Sequence, residues 1–156
     1  MNKFLTGLLL AVLVLAVGTG CQNEVSGDPG TITVTTINLD LTGSSDQWDL
    51  YATAIAVGGD PLEESSRLAV AAEEEIPEAT TEVTFVLEEK DASGDPSGTH
   101  KEFDGGDAMI VFIFLDENNS EDAESGELAG VKNVKVDGDM SITADFNDFV
   151  DVDLLR

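Results

Sequence analysis

The chain has 156 residues, of which 42% are hydrophobic, and its 32 acidic residues against seven Lys and Arg give a formal net charge of −25 at pH 7. This length suits one domain with one core, and the hydrophobic content excludes a disordered chain. So large a negative charge argues against nucleic acid as a partner and favours a soluble monomer through mutual repulsion.

The first twenty residues have the pattern of a secretory signal peptide. Lys3 gives a positive start, residues 4–17 form a nearly unbroken apolar run, and small residues follow it. The run is shorter than the roughly 20 apolar residues that a stable membrane helix needs. We therefore expect residues 1–20 to direct export and then to be removed.

Cys21 is the only cysteine, so the chain cannot form an internal disulfide. With Gly18, Thr19 and Gly20 before it, Cys21 resembles the acylated cysteine of bacterial lipoprotein precursors, in which Leu or Val is usual at the position of Gly18. The resemblance implies cleavage before Cys21, acylation of its thiol, and a protein anchored by this lipid to the membrane of the cell envelope. Gln22 then implies the outer membrane in a Gram-negative source. The alternative is an ordinary signal peptide that leaves Cys21 as a free thiol.

The rest of the chain is predicted to be a short tether followed by an all-β domain. Residues 21–30 are polar and end in Gly27, Asp28, Pro29 and Gly30, which predicts a flexible tether and a domain over residues 31–156. Short segments of alternating hydrophobicity, separated by turn residues, predict an antiparallel β-sandwich of about seven strands. Its pattern resembles immunoglobulin-like or transthyretin-like domains, and a small closed barrel is the alternative.

Four segments allow more specific predictions. Residues 31–36 alternate apolar and hydroxyl side chains, which indicates a half-buried strand. Residues 48–57 and 108–115 are apolar on both faces, so each is expected to be a central strand. The dipeptide Asp137-Gly138 predicts a tight hairpin between residues 131–136 and 140–146.

An acidic loop follows the second of these central strands. Its oxygen-bearing side chains match positions one, three, five, nine and twelve of a calcium loop, and these are Asp116, Asn118, Ser120, Glu124 and Glu127. Glu121 occupies position six, where an EF-hand needs Gly, and the flanking segments are strands rather than helices. The spacing predicts a looser calcium site, and a solvated acidic loop is the alternative. No other cofactor is expected.

The motifs of catalysis are not found in the sequence. It has no supported Ser/His/Asp arrangement, no histidine cluster and no glycine-rich phosphate loop. We therefore expect a non-enzymatic binding or structural module at the cell envelope, in preference to an envelope hydrolase. The alternative is an exported carbohydrate- or protein-binding module with Trp48, Tyr51 and Phe103 as loop contacts, although Trp48 suits packing better.

Overall fold

The computed structural model describes residues 27–42, 48–60, 62–118 and 120–155. The predicted signal peptide and Cys21 lie outside the described residues. None of the helices within those ranges is long and apolar enough to cross a membrane.

The protein is an all-β sandwich of two sheets, as predicted, and the described residues form ten strands rather than about seven. The strands are β1 Ile32–Ile37, β2 Asp49–Ala56, β3 Arg67–Glu73, β4 Glu82–Val86, β5 Glu88–Lys90, β6 Pro96–His100, β7 Ala108–Asp116, β8 Leu128–Lys135, β9 Met140–Asp145 and β10 Val150–Asp151. The small sheet has the order β4-β1-β9, and the large sheet has the order β10-β8-β7-β2-β3-β5-β6. Both sheets are open at their edges, so the closed barrel is wrong. The division into three and seven strands also differs from the four and three of an immunoglobulin constant domain.

The strand predictions based on hydrophobic periodicity are confirmed. In β1 every second residue is buried, and the alternation ends at Asn38, whose positive φ of 59° turns the chain. The strands β2 and β7 pair with each other in the middle of the large sheet. Since their side chains are apolar on both faces, both faces of the sheet need cover.

Both faces of the large sheet are covered, one by a main core and the other by a smaller second core. The main core fills the space between the sheets, where Leu50 and Val111 of the large sheet meet Ile32 and Val34 of the small sheet. The second core lies on the opposite, outer face of the large sheet. Its members are Phe112, Phe114, Ala123, Ala129 and Val152, with Tyr51, Leu62 and Leu155 packed against them.

The predicted hairpin around Asp137-Gly138 is wrong. Strand β8 pairs with β7 and β10 in the large sheet, whereas β9 pairs in parallel with β1 in the small sheet. The segment between them crosses from one sheet to the other, and its Val136 is fully buried and exchanges backbone hydrogen bonds with residues 106 and 107. Placing β9 beside β1 buries Ala144, with Met140 and Ile142 packed against the main core. Burial of a large apolar side chain contributes about 1.5–3 kcal/mol, more than the preference of one dipeptide for a tight turn.

The predicted tether is also too long at its carboxyl end. Gly30 and Phe103 exchange two backbone hydrogen bonds of 3.1 and 3.0 Å, and Gly138 donates to the carbonyl of Asp28 at 2.6 Å. A Cβ at Gly105 would overlap the carbonyl of Gly27, so this close approach requires glycine. Residues 27–30 therefore belong to the domain.

Candidate functional site

The acidic loop between β7 and β8 is organised by its two end carboxylates. Asp116 is only 1% exposed and accepts hydrogen bonds from the backbone N–H groups of Asn118 at 2.9 Å and Glu121 at 2.8 Å. Glu127 is 4% exposed and accepts from the N–H groups of Glu117 at 3.2 Å and Glu124 at 2.8 Å. The predicted first and last calcium ligands thus hold the loop backbone in place.

The other predicted ligands also bond within the loop. The Asn118 amide donates to Glu124 at 2.9 Å, and the Ser120 hydroxyl donates to the carbonyl of Asp122 at 3.1 Å. Glu121 occupies the position at which an EF-hand has Gly, and it adopts a left-handed φ of 63° although it is not a glycine. In the described ranges no three acidic, His or Cys side chains are grouped to hold a metal ion. Calcium binding stays a prediction.

A third buried carboxylate lies beside Asp116. Asp49 and Asp116 are register partners at the ends of β2 and β7, and Asp49 accepts from the backbone N–H of Glu75 at 2.6 Å. Burial raises the pKa of Glu127, which two backbone hydrogen bonds oppose and the charges of Asp116 and Glu124 reinforce. This end of the large sheet therefore concentrates negative charge in a poorly solvated place.

The raised pKa values predict that mild acid stabilises the protein. The pKa values of Glu127 and Glu121 are raised above 4.5, so the folded state binds these protons more tightly, and stability increases as the pH falls through the raised values toward 4.5. The pKa values of Asp139 and Asp145 are lowered below 3.8 by hydrogen bonds from Thr31 and Asn38, so their contribution is lost at still lower pH.

Thermal melts at constant ionic strength should therefore show a midpoint that rises from pH 7 toward pH 4.5 and falls below pH 3.8. Glu127→Gln should flatten part of the rise. A midpoint that falls steadily from pH 7 would contradict this expectation.

Two loops close a cavity over the outer face of β2 and β3. In the loop between β5 and β6, the Asp91 carboxylate accepts from the N–H groups of Ser93, Gly94 and Asp95 at 2.7, 3.0 and 3.1 Å. The loop between β7 and β8 is tied to β3 by a 3.0 Å ion pair between Arg67 and Asp122. The first loop thus has a defined shape, and the second is tied to the sheet.

The cavity has a volume of about 120 Å³, and Tyr51, Thr53 and Arg67 of the sheet line it together with Asp95 and Glu121 of the loops. A neighbouring pocket of about 440 Å³ shares Tyr51, Asp95 and Glu121. Glu73 and Glu74 extend the lining of this second pocket. The two together form an acidic depression, which we call the outer-face site.

The electric field in the outer-face site favours positive charge. The negative charge of Asp95 is the main cause of the raised pKa of Glu121, so these two carboxylates oppose each other at the cavity. Burial raises the pKa of the Tyr51 hydroxyl, and the charges of Asp49, Glu121 and Asp116 add to the effect. A cation placed here would relieve this repulsion.

Among the described residues, two that line the cavity each have a buried polar atom with no hydrogen-bond partner. The atoms are the hydroxyl oxygen of Thr53, a residue that is 2% exposed, and Nε of Arg67, whose side chain is 10% exposed. Leaving a buried donor unsatisfied costs about 1–3 kcal/mol. The sequence motifs do not predict this site, and the signal for it is the hydroxyl of Thr53 and the guanidinium of Arg67 in two mainly apolar strands.

The predicted aromatic contacts lie in different environments. Trp48 and Phe103 are buried in the main core, so the expectation of Trp48 as a packing residue is confirmed and neither side chain offers a loop surface. Tyr51 is half-buried, stacks on Phe114 with ring centroids 5.2 Å apart, and lines the outer-face site. Only Tyr51 among the three is placed to meet a ligand.

Comparisons with protein-family models, curated proteins and solved structures give no match for this chain. No relative therefore supplies a function for this chain.

Proposed function

We propose that the protein is a lipid-anchored, non-enzymatic module of the bacterial cell envelope that binds a partner or ligand on its β-sandwich. The observation that carries the proposal is Cys21, which follows an apolar leader and the small residues Thr19 and Gly20. Acyl chains on this cysteine contribute about 0.8 kcal/mol per buried methylene, so several chains make a stable anchor.

The position at which the folded domain begins supports the proposal that the module is held close to the membrane. Because residues 27–30 pack on the sandwich, only six peptide units separate Cys21 from Gly27. Fully extended, they span about 20 Å. The charge of −25 repels anionic lipid, so the acyl chains rather than the protein surface would provide the attachment.

The character of the outer-face site supports binding rather than catalysis. Its charged side chains are carboxylates and one arginine that is already paired with Asp122. His100, the only histidine, is exposed on β6 and does not line the site. The usual general base for a serine nucleophile is thus not at the cavity.

The anchor is tested on the protein expressed with its leader in a bacterial host. Mass spectrometry of the mature protein should find an amino-terminal peptide that begins at an acylated Cys21, and the protein should sediment with membranes. Cys21→Ser should abolish acylation and release the protein from the membrane fraction. An unmodified peptide beginning at Thr19, or a Cys21→Ser variant that still sediments with membranes, would refute the anchor.

A further inference from the structure

The segment that carries Cys21 joins the sandwich at one of its ends, which we call the entry end. There the backbone of Gly27 lies too close to Gly105 for a Cβ, and the carbonyl of Asp28 accepts a hydrogen bond from Gly138. Strands β1, β7 and β9 begin at this end, and β2 and β8 finish there. Close backbone packing therefore fixes Gly27 to the entry end.

The buried carboxylates Asp49 and Asp116 lie at the opposite end, which we call the acidic end. They are register partners at the start of β2 and the end of β7. The connection of residues 74–81 lies at the same end, since β3 finishes there and β4 begins there, and it carries three exposed glutamates. Strand β7 has nine residues, and at a rise of 3.4 Å per residue it separates the two ends by about 27 Å.

The chain between the proposed anchor and the domain is too short for the acidic end to turn toward the membrane. Six peptide units join Cys21 to Gly27, and they span about 20 Å when fully extended. If the acidic end lay against the lipid, Gly27 would be about 27 Å or more away from it, because the length of the strands separates the two ends. Anionic lipid would also repel the carboxylates of the acidic end.

We propose that the entry end is the surface that faces the membrane in the anchored protein, and that the acidic end points away from it. The lipid surface is then the neighbour of the entry end, whereas a molecule that meets the acidic end must approach from solution. This inference rests on the anchor proposed at Cys21, and it adds to that anchor the orientation of the domain.

The test measures how far each end lies from the lipid. The full chain is expressed with its leader, and the acylated protein is inserted into preformed vesicles of phosphatidylethanolamine and phosphatidylglycerol that carry an acceptor dye on their headgroups. Cys21 is the only cysteine, and acylation removes its thiol, so a donor dye attaches only to an introduced cysteine. Energy transfer from the donor to the acceptor then reports the distance of the labelled position from the lipid.

Two exposed, uncharged positions form a matched pair of labels. Val57→Cys follows the last residue of β2 at the entry end and is 65% exposed in the wild type, and Ala79→Cys lies in the connection of residues 74–81 at the acidic end. The label at residue 57 should lie roughly 25 Å closer to the lipid, because the two labels are separated by about the length of a strand. It should therefore give the stronger energy transfer.

A longer tether tests the geometric reason for the orientation. Six Gly and Ser residues inserted after Gln22 raise the extended reach from about 20 Å to about 40 Å, which exceeds the length of the strands. The difference in energy transfer between the two labels should then shrink. A difference that stays the same would show that the tether does not set the orientation.

The anchor and the orientation are read separately in one sample. Mass spectrometry and sedimentation with vesicles report acylation, and a protein without acyl chains would refute both the anchor and the orientation. An acylated, vesicle-bound protein whose two labels give equal energy transfer, or stronger transfer from residue 79, would refute the orientation alone.

Discussion

Asp116→Ala should lower the free energy of unfolding by about 2–3 kcal/mol, because it leaves the two donors of partly buried backbone hydrogen bonds without their acceptor. These donors are the N–H groups of Asn118 and Glu121, which the Asp116 carboxylate holds at 2.9 and 2.8 Å. The loss should exceed the relief of repulsion with Glu127, since both carboxylates are tied to backbone groups. Chemical denaturation gives the difference.

Two further variants distinguish the hydrogen bonds that Asp116 accepts from the effect of its negative charge. Asp116→Asn keeps one acceptor oxygen and should cost less than Asp116→Ala. Glu78→Ala removes an exposed carboxylate and should change stability by less than about 0.5 kcal/mol. An Asp116→Ala variant as stable as Glu78→Ala would show that the carboxylate does not hold the loop.

The same proteins test the calcium hypothesis for the loop. If Asp116 and Glu127 ligate calcium, the wild type should melt at a higher temperature in calcium than in sodium at equal ionic strength. Asp116→Ala should lose that increase. Equal melting midpoints of the wild type in the two salts would mean that calcium acts only by general screening of the negative charges.

Phe114→Ala should lower the free energy of unfolding by about 3–5 kcal/mol and the melting midpoint by about 10 °C. The Phe114 ring is buried in the second core, with its centroid 5.2 Å from that of Tyr51 and 5.7 Å from that of Phe112. Removing it leaves a cavity that the paired strands β2 and β7 cannot close.

The matched control for Phe114→Ala is Val131→Ala on the neighbouring strand β8. Val131 is 40% exposed, and its truncation should cost less than about 1 kcal/mol. Equal stability losses for the two variants would mean that the second core contributes little.

Hydrophobic periodicity along the sequence determined the fold class and its central strands. The alternation in β1 and the two apolar faces of β2 and β7 are local patterns. Each one indicates whether one face or both faces of the strand are buried. The sequence also placed acidic residues at Asp116 and Glu127, but it could not show that their carboxylates point inward. Spacing along the chain is the same for a loop that binds a cation and for a loop that closes on its own backbone.

The tertiary structure decided which strand edges meet and which loops lie together. Asp137-Gly138 favours a tight turn, yet β8 already has neighbours on both sides, and β9 pairs instead with the open edge of β1. The outer-face site joins Thr53, Asp95 and Glu121, which are far apart in the chain. Local preference cannot specify such contacts, because they arise only when burial of both cores brings the strands and their loops together.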